Sequence, residues 1–224
     1  MKTILITLGS KEYHNYMVIL GESITKYYPE IYPIFYIVDD IEAQSKELLQ
    51  KYGEIRYLEH DTNISKPLFC ATRRAYLIPE LRAEFPADSI MWVDADSVFR
   101  RRDEALLTFL QNTSVSMRPK NLKEGKFASG VIVSGPQSSN FFETYLNFVS
   151  REIGSGRWMT DQECLNKTYQ FCKSRMNDFG YKPLPNKYCD VWFSDDGVLW
   201  TAKGDFSRMN MYNILSAESV SQKT

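Results

Sequence analysis

Apolar residues in this chain come in short blocks that alternate with segments of helical period. Lys2 to Leu8 is nearly unbroken in its apolar character, the pattern of a strand buried on both faces. From Lys11 onward Tyr13, Met17, Leu20, Ile24 and Tyr27 recur at helical spacing, and Pro29 and Pro33 are expected to end that helix. Ile34 to Val38 reads as a second strand closing on Asp39-Asp40. Ile41, Leu48, Leu49 and Tyr52 predict a second helix, stopped by Gly53. Ile55 to Leu58 is a short third strand, and Phe69, Tyr76, Leu77 and Leu81 mark a helix that Pro79 is expected to kink. A strand over Ser89 to Val93 follows. Alternation of this kind predicts an α/β fold with a parallel sheet covered by helices on both faces, and ligands in such sheets bind beyond the carboxyl ends of the strands.

The second half is less regular. Ser114 to Met117 and Phe127 to Ser134 read as strands, and Ser139 to Ile153 and Thr160 to Phe171 as helices. From Lys182 on, Pro, Asn, Asp and Gly are scattered among aromatics, which predicts short strands and loops. The expected organisation is one domain over residues 1–224, with a nucleotide-binding half (1–112), an acceptor and sugar half (113–215) and a polar tail (216–224).

Composition narrows the function classes. A net charge of −1 offers no broad basic field for nucleic acid and no polybasic arm for a membrane. The opening apolar run is too short to span a bilayer and reads as a strand, so action in the cytoplasm is expected. None of the 4 cysteines has the spacing of a zinc knuckle or redox motif, and with 2 histidines in the chain a zinc site is disfavoured; free thiols are expected.

The candidate chemistry lies in SIMWVDADSVF, Ser89 to Phe99. Asp94 and Asp96, two positions apart after an apolar strand, repel each other unless solvent or a cation intervenes. On a straight strand their roots stand about 6–7 Å apart. That suits one carboxylate on a metal and the other on a water or hydroxyl, or both on one ion if the chain bends. Oxygen ligands without His or Cys favour Mg²⁺ or Mn²⁺. A turn or helix cap is the plainer account of such a pair.

Four segments in order resemble glycosyltransferase family 8 and its relatives, enzymes with the GT-A fold that use nucleotide sugars. They are Asp94-Ala95-Asp96, FASGVIVS from Phe127, TDQECLN from Thr160, and TRRAYLIPEL from Thr72. The resemblance covers roughly residues 1 to 170. It implies a GT-A sheet, mixed but mostly parallel, with the acidic pair at a strand end. It also implies metal-dependent transfer of a sugar, with retention, from a nucleotide diphosphate (UDP by the family's habit) to a glycan-type hydroxyl.

By the same resemblance Thr7, Leu8 and Tyr13 would hold the base, with Tyr16 as a substitute stacker, and Asp39 would touch base or ribose. Arg73, rather than Arg74, is expected to face the diphosphate or sugar. Asp94 would contact ribose or sugar, and Asp94 and Asp96 the metal. Ser129 and Gly130 would line the sugar pocket, although Gly130 also fits a β-bulge. Asp161 and Gln162 would sit beside the transferring carbon, although Thr160 and Glu163 also fit a capping box. Tyr13 equally fits the helix's buried face, and Asp39 a helix cap. The chain departs from the family near Val198 to Gly204, where a metal-binding His is usual and none occurs. Lys203 could neutralise a phosphate there, and Asp195 or Asp196 could replace the ligand. For an inverting reaction Asp161, Asp190, Asp195 and Asp196 are the candidate bases. Two other readings compete. One is a phosphatase of the haloacid-dehalogenase type, with Asp94 as nucleophile and Asp195-Asp196 on Mg²⁺. The other is a nucleotide-sugar-binding module without turnover.

Overall fold

The first apolar run forms strand β1 (Thr3–Gly9), buried along its whole length. A short 3-10 turn over Lys11–Tyr13 leads into helix α1 (His14–Tyr27). Strand β2 (Ile31–Ile37), helix α2 (Ala43–Tyr52), strand β3 (Glu54–Tyr57), helix α3 (Lys66–Glu84) and strand β4 (Ser89–Val93) follow. The rest of the chain adds β5 (Ser97–Phe99), α4 (Glu104–Gln111), β6 (Val115–Asn121), β7 (Lys126–Ser134), α5 (Ser139–Glu152), α6 (Thr160–Arg175), β8 (Tyr181–Pro183) and β9 (Leu199–Thr201). This computed structural model describes residues 1–175 and 179–202.

Seven strands make one sheet in the order β3-β2-β1-β4-β7-β6-β8, and β5 pairs with β9 apart from it. Strands β1 to β4 run parallel, as the alternation of strand and helix predicted, while β7 is antiparallel to both β4 and β6. The sheet is therefore mixed, and it continues without a break from the first half into the second.

Period-two burial explains the layers. Ile4, Ile6 and Leu8 of β1 and Ile90 and Trp92 of β4 join the core under α3, α5 and α6. Leu5, Met91 and Val93 point to the opposite face, where α1 and α4 pack. Each central strand is apolar on both sides, so it reads as a run and not as an alternation.

One proline, Pro33, behaves differently from expectation. Pro33 lies inside β2, opposite Leu5 of β1, and ends nothing. The β2–β3 pairing begins only at Ile34, so the N–H that proline lacks is not needed by β3. Pro79 sits within the 19-residue α3 without terminating it.

Candidate functional site

The strand order reverses between β1 and β4, with β2 on one side and β7 on the other. A crevice opens at such a switch point. Here it is a cleft of about 820 Å³ lined by the ends of β1 and β4, the N-terminal half of α3, the first residues of α6 and parts of β6 and β7.

At the β1 end, Leu8, Gly9 and Tyr13 form the wall. A Cβ on Gly9 would stand 2.6 Å from the Met17 sulfur and 3.0 Å from the Tyr13 Cβ, so glycine lets the start of α1 close on the strand. Tyr13 is half-buried: it packs beside the Met17 and Phe35 cluster, as expected of the helix's buried face, and it also lines the cleft. Its ring centroid lies 5.9 Å from that of Tyr16. Thr7 is buried behind this wall, not on it, and its hydroxyl has no hydrogen-bond partner among the described residues. Asp39 does not cap α2, whose N-cap is Glu42. Its carboxylate accepts from Lys66 Nζ at 3.0 Å and from the Lys11 N–H at 3.5 Å. Burial pushes the Asp39 carboxyl up, but the Lys66 and Lys11 donors outweigh it and hold it below the usual range. Lys66, not Asp39, reaches the cleft wall.

Strand β4 stops at Val93 and the chain turns, so Asp94 and Asp96 do not sit on a straight strand. Both line the cleft; Asp96 is 3% exposed, and the Ala202 N–H donates to its backbone carbonyl. Asp94 shares a sheet face with Trp92, whose indole N–H donates to it at 3.2 Å.

The arginine that enters this cluster is Arg74, which corrects the expectation for Arg73. Arg74 lies 3.4 Å from the Asp94 carboxylate and 3.6 Å from that of Asp161, and it donates to the Ser129 carbonyl. Arg73 lies outside the cleft wall, its guanidinium 4.0 Å from the Phe69 ring centroid and 4.9 Å from that of Tyr76. Desolvation pulls the Arg74 guanidinium down, and the neighbouring Asp94 and Asp161 more than reverse that. Asp161 is pushed up by burial, a shift that Arg74 and the N–H of Gln162 oppose without cancelling. The buried Tyr145 beside them is raised by desolvation and by Asp161.

Asp161 and Gln162 open α6, but not through a capping box. The Thr160 hydroxyl donates to the Arg157 carbonyl at 2.7 Å, and Glu163 pairs with Arg157 at 2.7 Å. Gln162 accepts from Lys120 Nζ at 3.1 Å.

Ser129 and Gly130 line the cleft where the β6–β7 register breaks: Met117 pairs with Ile132, but Arg118 pairs with Ala128. Residues 129–131 are thus extra on β7, a bulge in which the Gly130 carbonyl accepts from the Asp94 N–H at 2.8 Å. The bulge expected at Gly130 is present, and the same residue lines the cleft. The break also turns Arg118 into the cleft, with Lys120 beyond it. Neither was foreseen, because the sequence pattern marks a strand only as far as Met117. Trp158 and Met159, 59% and 43% exposed, complete the wall before α6 and were also missed.

Several expected positions fall elsewhere. Asp190 is buried and holds a turn, accepting from the N–H groups of Trp192 and Ser194, so it is not poised as a base. Asp195 and Asp196 are exposed and off the cleft wall, which removes them as a replacement ligand, as bases and as the metal pair of the phosphatase reading. That reading also needs a free Asp94, which Trp92 and Arg74 occupy. Lys203 lies outside the described residues. The 4 cysteines are free thiols, Cys70 half-buried on the cleft wall and pushed up to about 11 by burial. Among the described residues no helix is long and apolar enough to cross a membrane, and no three His, Cys, Asp or Glu side chains gather at a metal site.

No protein-family model and no curated protein matches this sequence. Solved structures do. The glycosyltransferase GlyE of Streptococcus pneumoniae TIGR4 is similar at a TM-score of 0.65 and 14% identity, over 98% of this chain and 60% of that one. The galactosyltransferase LgtC, solved with donor and acceptor sugar analogs, is similar at a TM-score of 0.61 and 13% identity, over 96% of this chain and 95% of that one. The chain therefore spans 60% of the length of GlyE. Likeness at this identity establishes the architecture: a single mixed, mostly parallel seven-stranded sheet flanked by helices, which is the GT-A fold of glycosyltransferases.

Proposed function

We propose that this chain is a metal-dependent glycosyltransferase moving a sugar from a nucleotide diphosphate to a hydroxyl of a glycan-type acceptor. The observation that carries the reading is the placement of Asp94, Asp96, Arg74 and Asp161 together in the cleft of a GT-A fold. Three carboxylates against one guanidinium leave that region with excess negative charge, which suits a divalent cation. All donors present are oxygens, and two of the carboxylates follow one tight turn, so Mg²⁺ or Mn²⁺ fits and Zn²⁺ does not.

Asp94 and Asp96 would hold the ion, which supplies counter-charge for the departing diphosphate. Tyr13 offers a rigid flat face to a base, backed by Leu8 and Gly9. Lys66, held by Asp39 behind the wall, reaches the same end of the cleft, where its ammonium would face the nucleotide. Ser129 and Gly130 give a sugar ring close approach to β7. Arg74 fixes Asp94 and Asp161 in place and stays protonated. Asp161 and Gln162 sit where the anomeric carbon would lie, with Lys120 orienting the amide. The bond from the anomeric carbon to the phosphate oxygen breaks and its electron pair leaves with the diphosphate. The acceptor oxygen bonds that carbon, and its proton passes to the departing phosphate, the course of a reaction with retention. Action in the cytoplasm and a uridine base belong to the same proposal.

Asp96→Ala is expected to abolish Mn²⁺-dependent release of nucleotide from a sugar donor, by at least a hundredfold, while the circular-dichroism melt stays cooperative. A folded variant with unchanged turnover would take the metal out of the account.

A further inference from the structure

Among the described residues the cleft holds four basic side chains, and three of them have acidic or amide partners. Arg74 serves Asp94 and Asp161, Lys66 serves Asp39, and Lys120 donates to Gln162. Arg118 differs: it lines the cleft and pairs with no carboxylate among the described residues, and its Nε is buried without an acceptor. A half-buried guanidinium whose Nε lacks an acceptor gains when an anion enters the cleft beside it. The register break after Met117 is what points it inward, and breaks of that type re-aim side chains beside active sites.

Its strand lies away from the β4 turn, beside which the proposed diphosphate would sit. Strand β6 lies two strands beyond β4, with β7 between, so its backbone stands about 10 Å from the Asp94 turn. The nucleotide end, at β1, is one strand further away again. The Lys120–Gln162 bond ties β6 to the start of α6, and Trp158, exposed and two residues before that helix, lines the same cleft. An exposed aromatic face stacks on a sugar ring, and a guanidinium fork grips a planar or tetrahedral oxyanion.

We propose that Arg118 recognises an acidic group, carboxylate or phosphate, carried by the acceptor sugar, whose ring lies on Trp158. This rests on the transferase reading for the word acceptor; the anion site itself does not.

The test measures binding of glucuronate, glucose 6-phosphate and glucose by ligand-observed NMR, with and without UDP and Mn²⁺. At least one acid is expected to bind at least tenfold tighter than glucose, and the acid that does so identifies the anion. Arg118→Gln is expected to erase that preference, Arg118→Lys to keep part of it, and UDP affinity to stay within about twofold in both. Trp158→Ala is expected to weaken acid and neutral sugar alike. Equal binding of acid and neutral sugar, or a preference that survives in Arg118→Gln, overturns the proposal. So does displacement of the acid by UDP, which would assign Arg118 to the diphosphate. An Arg118-dependent preference in a protein that binds no nucleotide diphosphate would remove the transferase reading and leave the anion site standing. The melting temperature of all three variants is compared with that of the wild type, so a misfolded sample is recognised as such.

Discussion

Arg74 and Arg73 show what a single residue can and cannot disclose. Adjacent positions on a helix differ by about 100° in direction, so only one of the two can face the sheet. The deciding signal was present: Arg74 precedes Leu77, Ile78 and Leu81 by three, four and seven residues, and all three are buried. Arg73 precedes Tyr76 and Glu80, which are less covered. The resemblance fixed the type of residue, and the helical phase would have fixed its number. Removing Arg74 leaves two cleft carboxylates without their cation, and breaking a buried pair of this kind costs about 3–5 kcal/mol. Arg74→Met is expected to lower the melting temperature at pH 7.5 by roughly 6–20 °C for a domain of this size. The sign of the pH dependence follows from the carboxylates. In the variant Asp161 loses its stabilising neighbour, so its folded pKa, already raised by burial, rises further above the unfolded one. A raised acid contributes stability below the unfolded pKa and loses it as pH climbs through the folded value. The gap between wild type and variant should therefore widen from pH 4 to pH 7.5, and adding Asp161→Asn to the variant should recover part of it. A gap independent of pH would show that Arg74 acts by packing alone.

At the scale of elements, the β1-to-α1 corner couples fold and site through one glycine. A methyl group at position 9 meets the Met17 sulfur and the Tyr13 Cβ, so α1 must shift or Met17 must find another rotamer. Overpacking of this kind costs about 1–3 kcal/mol. Gly9→Ala is expected to lower the urea midpoint accordingly and to weaken nucleotide binding, because Tyr13 moves with the helix start. Gly154→Ala, where a new Cβ meets nothing within 4 Å, serves as the control and should stay within about 0.5 kcal/mol. Equal effects at both positions would remove the coupling. Most elements were legible because each carries its own period: β1, β2, β4, α1 and α5 follow from apolar spacing alone. What stayed hidden was set by neighbours. Pro33 is tolerated in β2 because β3 starts one residue later, and the β6–β7 break depends on pairing between strands that no local pattern encodes. Arg118, Lys120 and Trp158 were missed for that reason, since each reaches the cleft through an irregular stretch.

For the whole molecule, the parallel sheet and its switch point determine where charge gathers. Asp94 and Asp96 emerge at the end of β4, beside the end of β1, and among the described residues no third protein ligand joins them. A divalent ion held by two carboxylates binds weakly, because its other positions remain with water. On the proposed function a diphosphate in the same cleft would supply oxygens to that ion, and the ion would offset the repulsion between the carboxylates and the phosphates. Such coupling is reciprocal: each ligand tightens the other by the same factor. Mn²⁺ alone and UDP alone are therefore each expected to raise the melting temperature by little. Together, near a hundredfold excess over the joint dissociation constant, they should add about 2.7 kcal/mol. For a domain of this size that is roughly 5–11 °C, more than the sum of the separate shifts. Asp94→Asn and Asp96→Asn should each return the combined shift to the sum of its parts while leaving the response to UDP alone intact. Strictly additive shifts in the wild-type protein would mean that metal and nucleotide do not meet, and the bridge from the β4 turn to the pyrophosphate would have to be abandoned.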